Sequence, residues 1–179
     1  RVAPMTAASL ATDLTRSTAR IFNSNNEPMG AGILVGQDQI VTCAHVVNTA
    51  LGRAKDCREQ LEAGAIVQLD FPVIAAGAIL TAEIVLRQFA EDVDIAGLKL
   101  ITAPPVILPS TPLKALDSLV GHDIEAFGFP VGYPRGMWVP GKIVHRVGGG
   151  WLQIEAREPQ QARFISGGFS GGPIWSADQ

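Results

Sequence analysis

The residues best suited to chemistry in this chain are Ser170, His45 and Asp94. Ser170 lies at the centre of Gly-Gly-Phe-Ser-Gly-Gly-Pro, Gly167 to Pro173. A serine flanked by glycines can sit on a tight turn with its hydroxyl exposed and backbone N–H groups converging on one point. Acyl transfer needs that arrangement: an oxygen nucleophile beside donors that stabilise the oxyanion of a tetrahedral intermediate. A serine does not attack a carbonyl unaided at neutral pH, so a base is required, and a third group must orient that base. His45, in Thr-Cys-Ala-His-Val-Val (Thr42 to Val47), is the candidate base. Asp94, in the stretch from Asp92 to Leu100, is the candidate carboxylate, with Asp92 its close rival.

The three motifs occur in the order His, Asp, Ser. Thr42–Val47, Asp94-Ile95-Ala96-Gly97-Leu98 and Gly167–Pro173 resemble, in that order, the histidine, aspartate and serine motifs of the chymotrypsin/trypsin-like serine proteases. The resemblance runs from about Gly30 to the end of the chain. It implies a serine endopeptidase acting on peptide or protein substrates through a His45–Asp94–Ser170 triad, with the backbone N–H groups of Gly168 and Ser170 as the oxyanion hole. Asp94 is preferred to Asp92 because Ile95-Ala96 follows it as in the family pattern. The resemblance also places Phe164 at the base of the primary specificity pocket, where an acid would select Arg or Lys; an apolar preference is expected instead. Phe169 replaces the aspartate that receives a freed N-terminus in zymogen-activated members, so activity should not depend on N-terminal cleavage. Val46 stands where many secreted members have a disulfide-bonded cysteine. A protease-like peptide-binding module without turnover, or a non-protease serine hydrolase such as an esterase, remains an alternative, because fold does not fix substrate.

Other readings of the motifs are weaker. Gly168–Gly172 also satisfies the G-x-S-x-G elbow of α/β-hydrolases, but there the acid and histidine follow the serine. Only nine residues follow Ser170, and none is a histidine. A zinc site built from Cys43, His45 and Cys57 lacks a usual ligand spacing, so no metal or other cofactor is expected. Gly148-Gly149-Gly150 reads as a hairpin turn and not a phosphate cradle, since no helical pattern opens after it. His122 and His145 match no motif and are expected at the surface or a sheet edge.

The elements that must position these residues read as β-structure. With 47% hydrophobic residues in 179, the chain can bury a core, and nineteen glycines and twelve prolines suit many short strands. A leading helix is expected over Thr6–Arg16, then strands over Ser17–Asn23, Gly30–Val35 and Ile40–Ala44, with His45 at the end of the last. Leu51–Gly64 reads as a loop. Ala78–Arg87 alternates, which predicts Ala78, Leu80, Ala82, Ile84 and Leu86 facing inward and Thr81, Glu83 and Arg87 outward. Asp94 opens the next strand. The Pro-rich stretch Thr102–Pro112 separates this half from a second set of strands over Ile124–Phe129, Trp138–Arg146, Trp151–Ala156, Ala162–Ile165 and Pro173–Ser176.

Pattern therefore indicates an all-β chain, and the resemblance adds two antiparallel β-barrels of chymotrypsin-like type with the site between them. The expected organisation is an N-terminal extension (1–16), a first barrel half (17–101), a linker (102–112) and a second half (113–179). Nine residues after Ser170 suffice for about one strand of five to six residues. The chain is thus expected to be a fragment whose second barrel lacks its last strands, open to self-association or to downstream domains, and poor at peptide turnover.

A net charge of −3 makes no electrostatic case for nucleic acid or an anionic membrane surface. Phe71–Ala82, the longest uncharged apolar run, is broken by Pro72 and Gly77 and is far short of the roughly 20 residues needed to span a bilayer. No charged-then-apolar signal peptide opens the chain. Two cysteines without the family's bridge read as free thiols, one of them buried in a strand, which leans slightly toward a cytoplasmic compartment.

Overall fold

The computed structural model describes residues 7–111, 113, 118–157 and 167–176. A helix, α1 (Ala7–Ser17), leads into β1 (Thr18–Phe22). The hydroxyls of Ser17 and Thr18 both donate to the Leu14 carbonyl, at 3.1 and 2.6 Å, and so satisfy a carbonyl that the helix end leaves without a partner. After β1, the Asn23 side chain accepts from the N–H groups of Asn25 and Glu27 at 2.9 Å, and this turns the chain into β2 (Pro28–Leu34). Strands β3 (Gln39–Thr42), β4 (Ile66–Phe71), β5 (Ala75–Ala90) and β6 (Val93–Leu100) complete a closed six-stranded barrel in the order β1-β2-β3-β6-β5-β4. Its core is built from Ile21, Leu34, Ile40, Leu69, Phe71 and Leu98, all buried.

The histidine segment departs from expectation. Strand β3 stops at Thr42, and a helix, α2 (Ala44–Ala50), follows at once. Val-Val-Asn-Thr contains the β-branched residues that usually favour strands, so the local pattern conceals the helix. Val46 and Val47, both fully buried, drive it into the barrel core. His45 therefore sits in the first turn of a helix and not at a strand end, and Cys43 caps that helix instead of lying in a strand.

A second correction concerns β5. The register against β6 shifts between Ile84 and Leu86, and such a bulge reverses the alternation beyond it. Leu80 and Ala82 face inward as expected, but Leu86 is 47% exposed. Arg87, expected outside, turns inward: Nε donates to Asn48 Oδ1 at 2.9 Å, and the guanidinium also reaches the carbonyls of Cys57 and Glu59. Asn48, fully buried, donates to the carbonyls of Lys55 and Cys57 at 3.0 Å each. The 51–64 loop is thereby fastened to α2 and β5.

The Pro-rich stretch lies against the barrel: the Thr111 N–H donates to the Leu34 carbonyl at 2.8 Å. Beyond it, β7 (Asp123–Gly128), β8 (Met137–Arg146), β9 (Leu152–Ala156) and β10 (Ile174–Trp175) form a four-stranded sheet in the order β10-β7-β8-β9. Gly148–Gly150 makes a single 3-10 turn between β8 and β9. The fold is all-β in its framework and of the two-barrel chymotrypsin-like type, the first barrel closed and the second half, among the described residues, an open sheet. The expected strand Ala162–Ile165 lies outside the described residues. No described helix is long and apolar enough to cross a membrane.

Arg20 joins the two halves. It forms a two-pronged pair with the buried Asp70 (Nε–Oδ1 3.1 Å, Nη2–Oδ2 2.7 Å) and donates through Nη1 to the Pro134 carbonyl at 2.7 Å. Its guanidinium also lies over the rings of Phe22 and Phe129, 4.9 and 5.9 Å from their centroids.

Candidate active site

The pairing of β3 with β6 brings the candidate base and carboxylate together. Thr42 lies opposite Ala96, so continuing that antiparallel register past the end of β3 sets Asp94 level with the start of α2. Asp94 then contacts His45 twice. Its Oδ1 accepts from the His45 backbone N–H at 2.9 Å, and its Oδ2 pairs with His45 Nδ1 at 2.5 Å. The backbone contact has a local cause. Cys43 offers α2 no side-chain cap, and a helix leaves its first N–H groups without internal acceptors. A carboxylate from a neighbouring strand takes one of them and, in the same stroke, the imidazole. With Nδ1–H directed at Asp94, the neutral ring carries its acceptor lone pair on Nε2. Both side chains remain partly open to solvent, at 14% and 21%. Asp92 lies elsewhere: its Oδ1 abuts Gly149, where a Cβ would meet it at 2.1 Å.

The Ser170 loop comes from the second half and docks on the first. Its outer ends are held on β7 and just beyond, where the N–H groups of Phe129 and Phe127 donate to the carbonyls of Gly168 (2.8 Å) and Pro173 (3.0 Å). Its centre is held on β2, where the Ala31 N–H donates to the Ser170 carbonyl at 2.8 Å. Two glycines are demanded by this path. Gly168 (φ +90°) approaches so closely that a Cβ would lie 2.2 Å from the Phe129 carbonyl oxygen. Gly171 (φ +79°) would place one 2.1 Å from the Ala31 oxygen and 2.4 Å from Thr42 Oγ1. Among the described residues, neither the Gly168 nor the Ser170 N–H is taken up by a hydrogen bond, and the Ser170 hydroxyl makes none to His45. The structure thus joins His45 to Asp94 directly and brings the serine loop against β2 and β3, at Ala31 and Thr42. Phe164 lies outside the described residues. Of the two other histidines, His145 is exposed and His122 half-buried.

Cys43 is the group that sequence reasoning left out of the site. Both cysteines are free thiols. Cys43 Sγ lies with the ligating atoms of His45 and Asp94 in one cluster, all within 4.8 Å of one another. Burial, followed by the negative charge of Asp94, pushes its thiol up from 9.0 to about 11, against a smaller opposing effect from a Gly171 backbone hydrogen bond and the charge of Lys55. The thiol therefore stays protonated at neutral pH. It touches the serine loop at Gly171 and the histidine helix at its cap. The C-x-H spacing in the sequence was the one available signal, but it says nothing of a loop arriving from the far end of the chain.

Residues 30–179 match the trypsin-like peptidase domain, so the chain belongs to that family. Two of the solved structures that share its fold show the likeness. One is a serine endoprotease from Yersinia pestis, with a TM-score of 0.63 and 19% identity, over 97% of this chain and 54% of that one. The other is Rv3671c from M. tuberculosis H37Rv in the inactive form of a serine-to-alanine mutant, with a TM-score of 0.58 and 21% identity, over 99% of this chain and 83% of that one. The chain thus spans about half the length of the first. Comparison with curated protein sequences returned no match.

Proposed function

We propose that this chain is the catalytic unit of a serine endopeptidase that hydrolyses peptide bonds through an acyl-enzyme, with Ser170 as nucleophile, His45 as base and Asp94 as its orienting carboxylate. The observation that carries this reading is the double contact of Asp94 with His45, because a carboxylate on Nδ1 keeps Nε2 ready to accept a proton. Ser170 Oγ attacks the scissile carbonyl carbon while its proton passes to His45 Nε2. Asp94 stabilises the imidazolium that results. The oxyanion is met by the N–H groups of Gly168 and Ser170, each such donor being worth about 2.7–4 kcal/mol of transition-state stabilisation. His45 then protonates the leaving amine, and water, activated by the same imidazole, releases the acyl group. The hydrogen bond from Ser170 to His45 forms on engagement with substrate; catalytic hydrogen bonds are often long in the empty site and tighten in the complex.

Covalent labelling with a fluorophosphonate probe tests this reading. The native chain should label at Ser170, and Ser170→Ala should not label. Labelling at another residue, or equal labelling of the variant, would overturn the assignment. Turnover of a peptide series against an ester series then separates a peptidase from an esterase.

A further inference from the structure

The cluster of Cys43, His45 and Asp94 is more than a base and its carboxylate, because it adds a soft sulfur ligand to an imidazole and a carboxylate. Among the described residues it is the one group of three such side chains whose ligating atoms converge, all within 4.8 Å of one another. A tetrahedral zinc ion bonds sulfur at about 2.3 Å and nitrogen or oxygen at about 2.0–2.2 Å, which sets its ligands roughly 3.3–3.6 Å apart. To reach that spacing the Asp94–His45 pair, now at 2.5 Å, must open, while any separation near the 4.8 Å limit must shorten. His45 and Asp94 are each reachable from solvent. The ligand set decides the class of ion: thiolate with imidazole selects zinc and its softer congeners over magnesium or calcium, which prefer oxygen alone. Three protein ligands also leave a fourth position for water. This set differs from the Cys43, His45 and Cys57 combination, which lacked a usual ligand spacing: Asp94, delivered from β6, stands in place of Cys57.

We infer that Cys43, His45 and Asp94 form a binding site for a thiophilic divalent cation such as Zn²⁺, and that its occupancy reversibly silences the hydrolase. The inhibitory half of this inference rests on the triad proposed above. On binding, the cation takes the place of the Cys43 thiol proton, which passes to solvent, and engages His45 and Asp94. The hydrogen bond between those two is lost, and the imidazole no longer serves as a base. Two anionic ligands facing one another across the site favour the bound cation.

Three measurements on the 179-residue chain test it. Titration with Cd²⁺ should produce a thiolate-to-metal charge-transfer band in the ultraviolet that saturates at one equivalent. Cys57→Ser should keep the band, and Cys43→Ser should lose it. In the unaltered protein, Zn²⁺ should protect Cys43 but not Cys57 from alkylation, a readout that needs no variant to fold. Zn²⁺ should also slow fluorophosphonate labelling, with recovery on adding EDTA. Cys43→Ala, compared with its own metal-free rate, should need at least about tenfold more Zn²⁺, since merely removing a group that orients a ligand typically costs about 10–100-fold in metal affinity. A band that survives in a folded Cys43→Ser, absence of any band or protection in the native chain, or equal Zn²⁺ sensitivity in Cys43→Ala would overturn the inference. If the metal-free chain does not label at all, the hydrolase reading fails, while the absorbance titration still decides the cation site.

Discussion

The two halves of the molecule hold their shares of the site in different ways. The first is a closed barrel, and His45 and Asp94 stand on it where α2 plugs the core and β6 pairs with β3. The second, among the described residues, is an open sheet, and Ser170 stands on a loop whose position depends on a few backbone hydrogen bonds and on glycines that permit close approach. Closed packing fixes a side chain through many small contacts, so no single loss is decisive. A docked loop depends on a few contacts, so single changes are felt. The proposed base and carboxylate are therefore built into one half, whereas the proposed nucleophile is positioned by the fit of one half on the other.

The largest expected effect removes the chemistry from either half. Ser170→Ala and His45→Ala should each lower kcat by about 10⁶-fold, and the double variant should be little worse than either, because the residues act as one unit. A His45→Ala variant retaining a tenth of native turnover would move the base elsewhere. Next comes the joint between the halves. Arg20→Met leaves Asp70, 1% exposed, as a buried charge without its partner, and loses the bond to Pro134. Breaking one side of such a pair typically costs about 3–5 kcal/mol. Chemical denaturation should show a loss of that order, and Arg20→Met combined with Asp70→Leu should recover much of it. No recovery would mean that the contact to the second half, and not the buried pair, carries the stability.

Gly171→Ala sharpens the contrast. The added methyl collides with the Ala31 carbonyl and with Thr42 Oγ1, and the left-handed backbone disfavours any side chain. Displacing the nucleophile by about 1 Å should cost on the order of 10²-fold in labelling rate. The barrel should keep its own protection from hydrogen exchange. Loss of that protection together with activity would show that the loop also supports the first half.

The smallest effect concerns Cys43 at the seam. Its thiol, raised to about 11, should alkylate slowly at pH 8 in the native chain and speed up only as pH climbs toward 11. In urea it should react near the ordinary thiol rate. The native state keeps a proton that the unfolded chain releases from about pH 9 upward. The stability this group contributes is therefore complete below pH 9 and is lost as pH rises through about 11. Mass-spectrometric mapping of alkylation with pH tests this. Equal native and unfolded rates at pH 8 would remove Cys43 from its buried place beside Asp94.

Much was legible in the sequence because it depends on local chemistry and chain order. The glycines around Ser170 announce a tight turn, the order His, Asp, Ser follows the family pattern, and alternation outlines most strands. What stayed hidden has a common physical cause. His45 reads as the end of a strand because the β-branched residues after it hide a helix; Ala44–Ala50 is helical because the barrel end buries Val46 and Val47 and Asp94 accepts its leading N–H. Leu86 and Arg87 exchange faces through one bulge, which periodicity cannot foresee because a single extra residue inverts everything after it. Residue types alone determined which groups were available for acyl transfer. Only the tertiary structure decided that Cys43 would lie beside His45 and Asp94, because that proximity comes from the register of β3 on β6, which is not encoded in the spacing around the cysteine.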